Sequence, residues 1–452
     1  MEDNRLVVVV LAAGKGTRMR SALPKVMHKL AGQTMLAHVL DSISRLNPGR
    51  VVVVTGPEMP DVEKAAWPHA TARQTEQLGT AHAVLAARAA LADFPTSDLL
   101  VVYGDTPLVR PETYLDMIEE RRRSDAAVVV LGMRVAPPNA YGRLVLDTSG
   151  GVEAIVEAAE ATPAVLNLDL CNSGVMLLDG EDAFTRLARI DNANAKGEYY
   201  LTDIAALARA EGRPVRVVEA PATELAGVNS RADLAAAELL LQGRLREKAM
   251  AEGVTLTDPA SVFLAADTRF GRDIVIGPHV VFGPGVEVAD DVEIRSFSHI
   301  EGTKIGKGSI IGPFARLRPG TVLENDVHIG NFVELKNTSM AAGAKANHLT
   351  YLGDAEIGAR SNIGAGTITV NYDGFGKYRT RIGAGAFIGS NSSLVAPLTI
   401  GDGAMTAAGS TVDHDIAADA LAIGRARQVD KPGRAAAFRS AKTAEKATKA
   451  KS

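Results

Sequence analysis

Two different hydrophobic rhythms run along this chain. In the first, short β-branched runs recur at Leu6–Leu11, 51–55, 99–103 and 126–131. Unbroken apolar runs of this length suit strands covered on both faces. Between them the spacing turns helical, as over 80–92 and 111–123. The alternation predicts an α/β domain with a mostly parallel, Rossmann-like sheet over residues 1–231, whose ligands bind at the carboxyl ends of the strands. Residues 232–252 are rich in strong helix formers and read as a helical linker, with a core helix of the first domain as the alternative.

The second rhythm has a period of six. Apolar residues recur at Phe270, Ile276, Phe282, Val288, Ile294 and Ile300, then at Ile305, Ile311, Leu317, Leu323, Ile329 and Leu335. The series returns at Ile357 and Ile363, and again at Ile382, Ile388, Leu394 and Ile400. Six residues make one short strand and a tight turn, and three such units close a triangular coil with large side chains inside. Stacked coils form a parallel β-helix over 253–452. Glycine supports this reading, because 26 of the 43 glycines lie in that half. Two interruptions, 336–356 and 367–381, predict loops that leave the coil and carry function.

Composition narrows the function classes. The 452 residues are 46% hydrophobic and 23% charged, with a net charge of −4. Wholesale disorder is excluded, and nothing favours a nucleic acid or a membrane as partner. The single cysteine, Cys171, excludes an intrachain disulfide and fits a reducing cytoplasm. No apolar stretch approaches the ~20 residues of a membrane span. The tail from about 433 carries six Lys/Arg against one Glu and is expected to be disordered.

Candidate chemistry appears in both halves. Leu11-Ala12-Ala13-Gly14-Lys15-Gly16-Thr17-Arg18 follows the first strand, where backbone N–H groups could meet phosphate beside fixed positive charge. The stretch fits neither the dinucleotide fingerprint nor the Walker loop, and an ordinary tight turn remains open. Lys25 adds a cation. Asp105 adds a carboxylate at a strand end, suited to Mg²⁺ on a triphosphate, with a helix or turn cap as the plain alternative. In the second half, His348 is a candidate base for acyl transfer, beside the cations Arg318, Lys336 and Lys377. A structural histidine and solvated surface cations are the plain alternatives.

Gly-x-Gly-Thr-Arg, Pro24-Lys25, Gln74-x-x-Gln77-Leu78-Gly79-Thr80 and Tyr103-Gly104-Asp105 resemble the sugar-1-phosphate nucleotidyltransferases. With the hexapeptide half attached, the chain resembles the bacterial bifunctional UDP-N-acetylglucosamine pyrophosphorylases/glucosamine-1-phosphate N-acetyltransferases. That resemblance implies an α/β nucleotidyltransferase domain followed by a left-handed parallel β-helix, a homotrimer, and work in the cytoplasm. Glucosamine-1-phosphate would first be acetylated by acetyl-CoA. UMP would then pass from UTP to N-acetylglucosamine-1-phosphate, with Mg²⁺ as cofactor and Arg18 and Lys25 neutralising charge. The alternative is a sugar-1-phosphate nucleotidyltransferase whose β-helix only regulates or trimerises and transfers no acetyl group. The resemblance assigns Leu11, Ala12, Ala13, Gly14, Lys25, Gln74, Gly79, Thr80, Tyr103, Gly104 and Asp105 to the uridine nucleotide. It assigns Gly142, Glu157, Asn172 and Asn229 to the sugar nucleotide, and Asp105 and Asn229 to the metal. His348 becomes the general base. Arg318, Lys336, Tyr351, Asn362 and Lys377 would hold the amino-sugar phosphate, and Asn371, Tyr372, Ser390, Ala408 and Arg425 would contact acetyl-CoA. Glu157-Ala-Ala-Glu160 and Cys171-Asn172 depart from the family's usual wording on the sugar side.

Overall fold

The computed structural model describes residues 5–14 and 16–450. The chain divides into two compact units, one of residues 1–249 with 263–267, the other of 250–262 with 268–452.

The first unit is built on a nine-stranded, mostly parallel sheet. Leu6–Leu11 lies in its interior, parallel to both Arg50–Thr55 and Asp98–Tyr103. Leu170–Asp179 runs antiparallel between Asp98–Tyr103 and Val128–Arg134. The continuous apolar runs are explained by burial on both faces. Val8 and Val10 pack with Leu36, Val39 and Leu40 on one side. Val7 and Val9 pack with Ala81, Val84 and Leu91 on the other.

The helix expected over 232–252 spans Arg231–Ala251. Its Ala237 packs with Leu30, Met35, Leu108 and Val228 of the first unit. Buried Gln242 donates to the Leu264 carbonyl at 2.7 Å and accepts from the Leu264 N–H at 2.9 Å. Along much of its length this helix packs with the first unit.

The second unit consists of three parallel sheets of ten, eight and eight strands, and successive strands pass from one sheet to the next. The hexad residues stack in register. Ile276, Ile294, Ile311, Ile329, Ala346, Ile363 and Ile388 form one inward column. Phe282, Ile300, Leu317, Leu335 and Leu352 form another. Each coil buries its apolar residues only by stacking on its neighbours, so the core is a line rather than a globule.

Two expectations need correction. Residues 336–356 do not leave the coil: Met340, Ala346 and Leu352 are fully buried and continue the columns. The period persists there, but alanine and methionine in inward positions hid it. The second interruption is real over a shorter stretch. Thr369 still stacks inward against Leu394, and the chain then departs in a hairpin closed by Tyr372 and Lys377. The tail also differs. Residues Arg434–Lys449 form a helix with every side chain exposed. Alanine and lysine are strong helix formers, and Glu445 pairs with Lys442 and Lys449. Among the described residues, no helix is long and apolar enough to cross a membrane.

Candidate functional sites

The parallel strands Leu6–Leu11 and Asp98–Tyr103 end side by side, and their following loops enclose a cleft of about 470 Å³. Leu11, Ala12, Ala13, Gly14, Lys25, Gln74, Gly79, Thr80, Tyr103 and Asp105 all line it, together with Gly16, Thr17, Gln77 and Glu198. A Cβ built on Gly14 would meet nothing within 4 Å, so open space faces that backbone. Gly79 is glycine for another reason. Its φ is +123°, and a Cβ there would approach the Tyr199 carbonyl to 2.5 Å. Buried Gln74 holds this turn by donating to the Gly79 carbonyl at 3.0 Å. Gln77 donates to the Ala13 carbonyl and ties the two loops together. The Gly104 N–H donates to the Leu11 carbonyl at 3.0 Å, which fixes the turn that presents Asp105.

Three residues converge at the cleft's polar end. The Lys25 ammonium pairs with the Asp105 carboxylate and donates to Asn229 Oδ1 at 3.1 Å. Asn229 is brought there by backbone: the neighbouring Val228 N–H donates to the Asp105 carbonyl at 2.9 Å. Asp233 then accepts from the Asn229 and Ser230 N–H groups at 3.0 and 2.8 Å. Burial opposes its ionisation, but these donors and Arg18 hold its carboxyl below the ordinary range. Arg18 itself is exposed. Lys15 lies outside the described residues.

The sugar-side candidates form a neighbouring group. The Asn172 N–H donates to the Gly142 carbonyl at 2.8 Å, and Gly142 borders Glu157. The Thr202 hydroxyl donates to Glu157 at 3.3 Å. Burial, with the charges of Asp105 and Glu157, pushes the Tyr103 hydroxyl well above its usual range. Arg143, which follows Gly142, is buried and spends its donors on the carbonyls of Leu168, Tyr141, Asn139 and Leu166, so it is an architectural residue.

On the β-helix the candidates gather in three sets. The first surrounds Asp354. This carboxylate accepts from Asn337 at 2.7 Å and from Asn371 at 2.5 Å, and pairs with Lys336 at 3.4 Å. Burial alone would raise its pKa, but those donors outweigh burial and hold it down. Lys336 lies close to Lys377, and this neighbouring charge lowers the pKa of Lys377. Two cations this close call for an anion. Arg318 pairs with Glu334 at 2.9 Å, and Glu334 is in register with Tyr351. The second set is His348, whose Nδ1 lies 2.8 Å from Asn331 Oδ1. Asn362 stands on the next coil of that wall, in register with Lys345 of the histidine's strand. The third set lies on later coils. The Gly409 N–H, next to Ala408, donates to the Ser390 carbonyl at 2.7 Å, and a Cβ on Gly409 would meet Arg425 at 3.6 Å. Tyr372 is half exposed on the hairpin. A cavity of about 550 Å³ on another wall, lined by Met340, Glu356, Arg381 and Asp402 among others, contains none of these residues.

Sequence reasoning missed Asn331, Asp354, Glu198 and Asp233 as site neighbours. Asp354 stood at the end of the His348 stretch and could have been found. The position of Asn331, 17 residues before His348, becomes meaningful only once the coil register is known.

Comparison with known proteins gives the same two-part picture. Residues 8–168 match the MobA-like NTP transferase domain. Residues 302–337 match the bacterial transferase hexapeptide (six repeats), and residues 379–414 match the hexapeptide repeat of succinyl-transferase. The Bifunctional protein GlmU of Paramagnetospirillum magneticum is 55% identical over 99% of this chain and 100% of its own. That of Azorhizobium caulinodans is 56% identical over 98% and 99%, and that of Rhodospirillum rubrum 57% over 96% and 97%. With identity above one half along essentially the whole of both chains, and with both domain types in the same order, this chain belongs to the family of bifunctional GlmU proteins.

Proposed function

We propose a division of labour in which the strand-end cleft of the first unit carries uridylyl transfer and the Asp354–His348 region of the β-helix carries acetyl transfer. The chain is a bifunctional enzyme, a UDP-N-acetylglucosamine pyrophosphorylase and a glucosamine-1-phosphate N-acetyltransferase. The observation that carries the assignment is the pairing of an ammonium, a carboxylate and an amide oxygen, Lys25, Asp105 and Asn229, at the mouth of a cleft lined by Gly14.

Asp105 and Asn229 offer two hard oxygen donors, and Lys25 already places a positive charge on both. That donor set fits Mg²⁺, which takes one or two protein ligands and completes its shell with water and phosphate. Bound there, Mg²⁺ would neutralise the charge that builds on the α-phosphate of UTP. Gly14 and its neighbours offer backbone N–H groups to the phosphates. Lys25, with Arg18, stabilises negative charge as a phosphate oxygen of N-acetylglucosamine-1-phosphate attacks and pyrophosphate leaves. Gly142, Glu157 and Asn172 would orient the sugar.

In acetyl transfer Arg318, Lys336 and Lys377 bind the phosphate of glucosamine-1-phosphate, with Tyr351 and Asn362 beside it. Asn371, Tyr372, Ser390, Ala408 and Arg425 bind acetyl-CoA. His348 takes the amine proton as nitrogen attacks the thioester. The first two sets share coils while the third lies on later ones, and Phe297, Phe314 and Phe332 form an exposed stacked ridge along the β-helix. Both features support a homotrimer, in which the sets of neighbouring copies complete one another. The reduced, buried Cys171 is compatible with a cytoplasmic enzyme. Supplying glucosamine-1-phosphate, acetyl-CoA, UTP and Mg²⁺ should release free thiol and pyrophosphate together; thiol without pyrophosphate would remove the cleft's assignment.

A further inference from the structure

Asn331 has no part in the chemistry above, yet the β-helix holds it against His348 in several ways. It ends the strand His328–Asn331, and the register places it directly opposite His348 on the following coil. The Leu349 N–H donates to the Asn331 carbonyl at 3.0 Å, and the Thr350 hydroxyl donates to the His348 carbonyl at 2.7 Å. The coils approach so closely that a Cβ on Gly330 would lie 1.9 Å from the Asn347 carbonyl oxygen. In this pinned frame Asn331 Oδ1 meets His348 Nδ1 at 2.8 Å.

A neutral imidazole carries one proton on one of two nitrogens, and only the other can act as a base. An acceptor fixed at Nδ1 keeps the proton there and leaves the Nε2 lone pair available. The opposite amide orientation would donate to Nδ1, force the proton onto Nε2 and block the chemistry.

We propose that Asn331 is the positioning residue of acetyl transfer: its side-chain carbonyl holds the proton on His348 Nδ1, so that Nε2 receives the proton of the attacking amine. The inference rests on His348 being the base. In that step the amine nitrogen forms a C–N bond to the acetyl carbon, the C–S bond breaks, and the amine proton moves to Nε2 and then to the departing thiolate.

The test uses full-length Asn331→Leu, Asn331→Asp and His348→Ala. A general base contributes about 10²–10⁴-fold, so losing its orientation in Asn331→Leu should lower kcat for acetyl transfer on the order of 10- to 100-fold, with KM for both substrates nearly unchanged. Asn331→Asp keeps an acceptor and should stay within about threefold of the native kcat. Nitrogen-15 spectra of histidine-labelled protein, with the His348 signal identified by its loss in His348→Ala, should show Nδ1–H in the native and Asp forms and Nε2–H in the Leu form. Uridylyl transfer should be native in all three. Full acetylation by His348→Ala would remove the base assignment itself. An inactive His348→Ala beside an Asn331→Leu enzyme of native kcat would overturn the role of Asn331 alone. Should the Leu variant fail to fold, the native spectrum decides, because Nε2–H in the native protein contradicts the proposal.

Discussion

In the first unit, residues distant in sequence reach one cleft because parallel strands end together: Ala13, Gln74, Tyr103 and Asp105 each stand on or beside a loop at a strand's carboxyl end. In the β-helix, neighbours are set instead by the pitch of a coil. His348 meets Asn331 at a separation of 17 residues, and Asp354 meets Asn337 and Asn371 at 17 each. The cleft is thus a convergence of loops, whereas the coil offers functional groups on a ruled surface. A residue added to a loop of the cleft perturbs that loop, but a residue added to the coil shifts every column beyond it.

This contrast predicts separable failures. The largest effect should come from His348→Ala, which should lower acetyl transfer by about 10²–10⁴-fold, measured as thiol release, and leave pyrophosphate release from UTP intact. Asp105→Ala should lower uridylyl transfer by about 10²–10³-fold and spare thiol release, since it removes an oxygen donor and leaves Lys25 without its carboxylate. If either variant damaged both reactions equally, the separation of the sites would be wrong. Leu335→Ala tests the ruled surface itself. Leu335 is fully buried between Leu317 and Leu352, so the substitution should cost ~2–5 kcal/mol in the β-helix transition. Loss of acetylation at elevated temperature should precede loss of uridylylation.

The smallest effect concerns Asp203. Burial, with Asp191, Glu160 and Glu157 nearby, raises its pKa to about 6. A raised carboxyl is penalised where it ionises in the folded protein, so falling pH stabilises the first unit from about 6 down to the unfolded value near 4. Asp203→Asn should therefore raise the melting temperature at pH 7–8, with the gain vanishing below about pH 4. An unchanged melting temperature at both pH values would show that Asp203 is not strained.

Much of this architecture was legible before any coordinates. The runs at Leu6–Leu11 and 99–103 are parallel strands buried on both faces, and the hexad series from Phe270 to Leu335 runs in register through the coils. What stayed hidden has physical causes. Met340, Ala346 and Thr369 fill inward positions with an unbranched, a small and a polar side chain, so periodicity read through branched and aromatic apolar residues lost the coil there. The helix Arg231–Ala251 looked like a spacer because its buried residues are Ala237, Gln242, Arg246 and Ala249, which carry little hydrophobic signal. The tail helix follows local propensity where charge suggested disorder. At the sites, the cleft residues could be read from glycine-rich and strand-end motifs. The orienting group Asn331 depends on a pairing between coils that no local motif encodes.

The central claim, two chemically independent sites in one chain, is tested most directly by giving Asp105→Ala enzyme all four of glucosamine-1-phosphate, acetyl-CoA, UTP and Mg²⁺. The account predicts native thiol release, accumulation of N-acetylglucosamine-1-phosphate and almost no pyrophosphate, with the full sequence restored when His348→Ala enzyme is added. Loss of thiol release from Asp105→Ala, with its β-helix still folded, would contradict it.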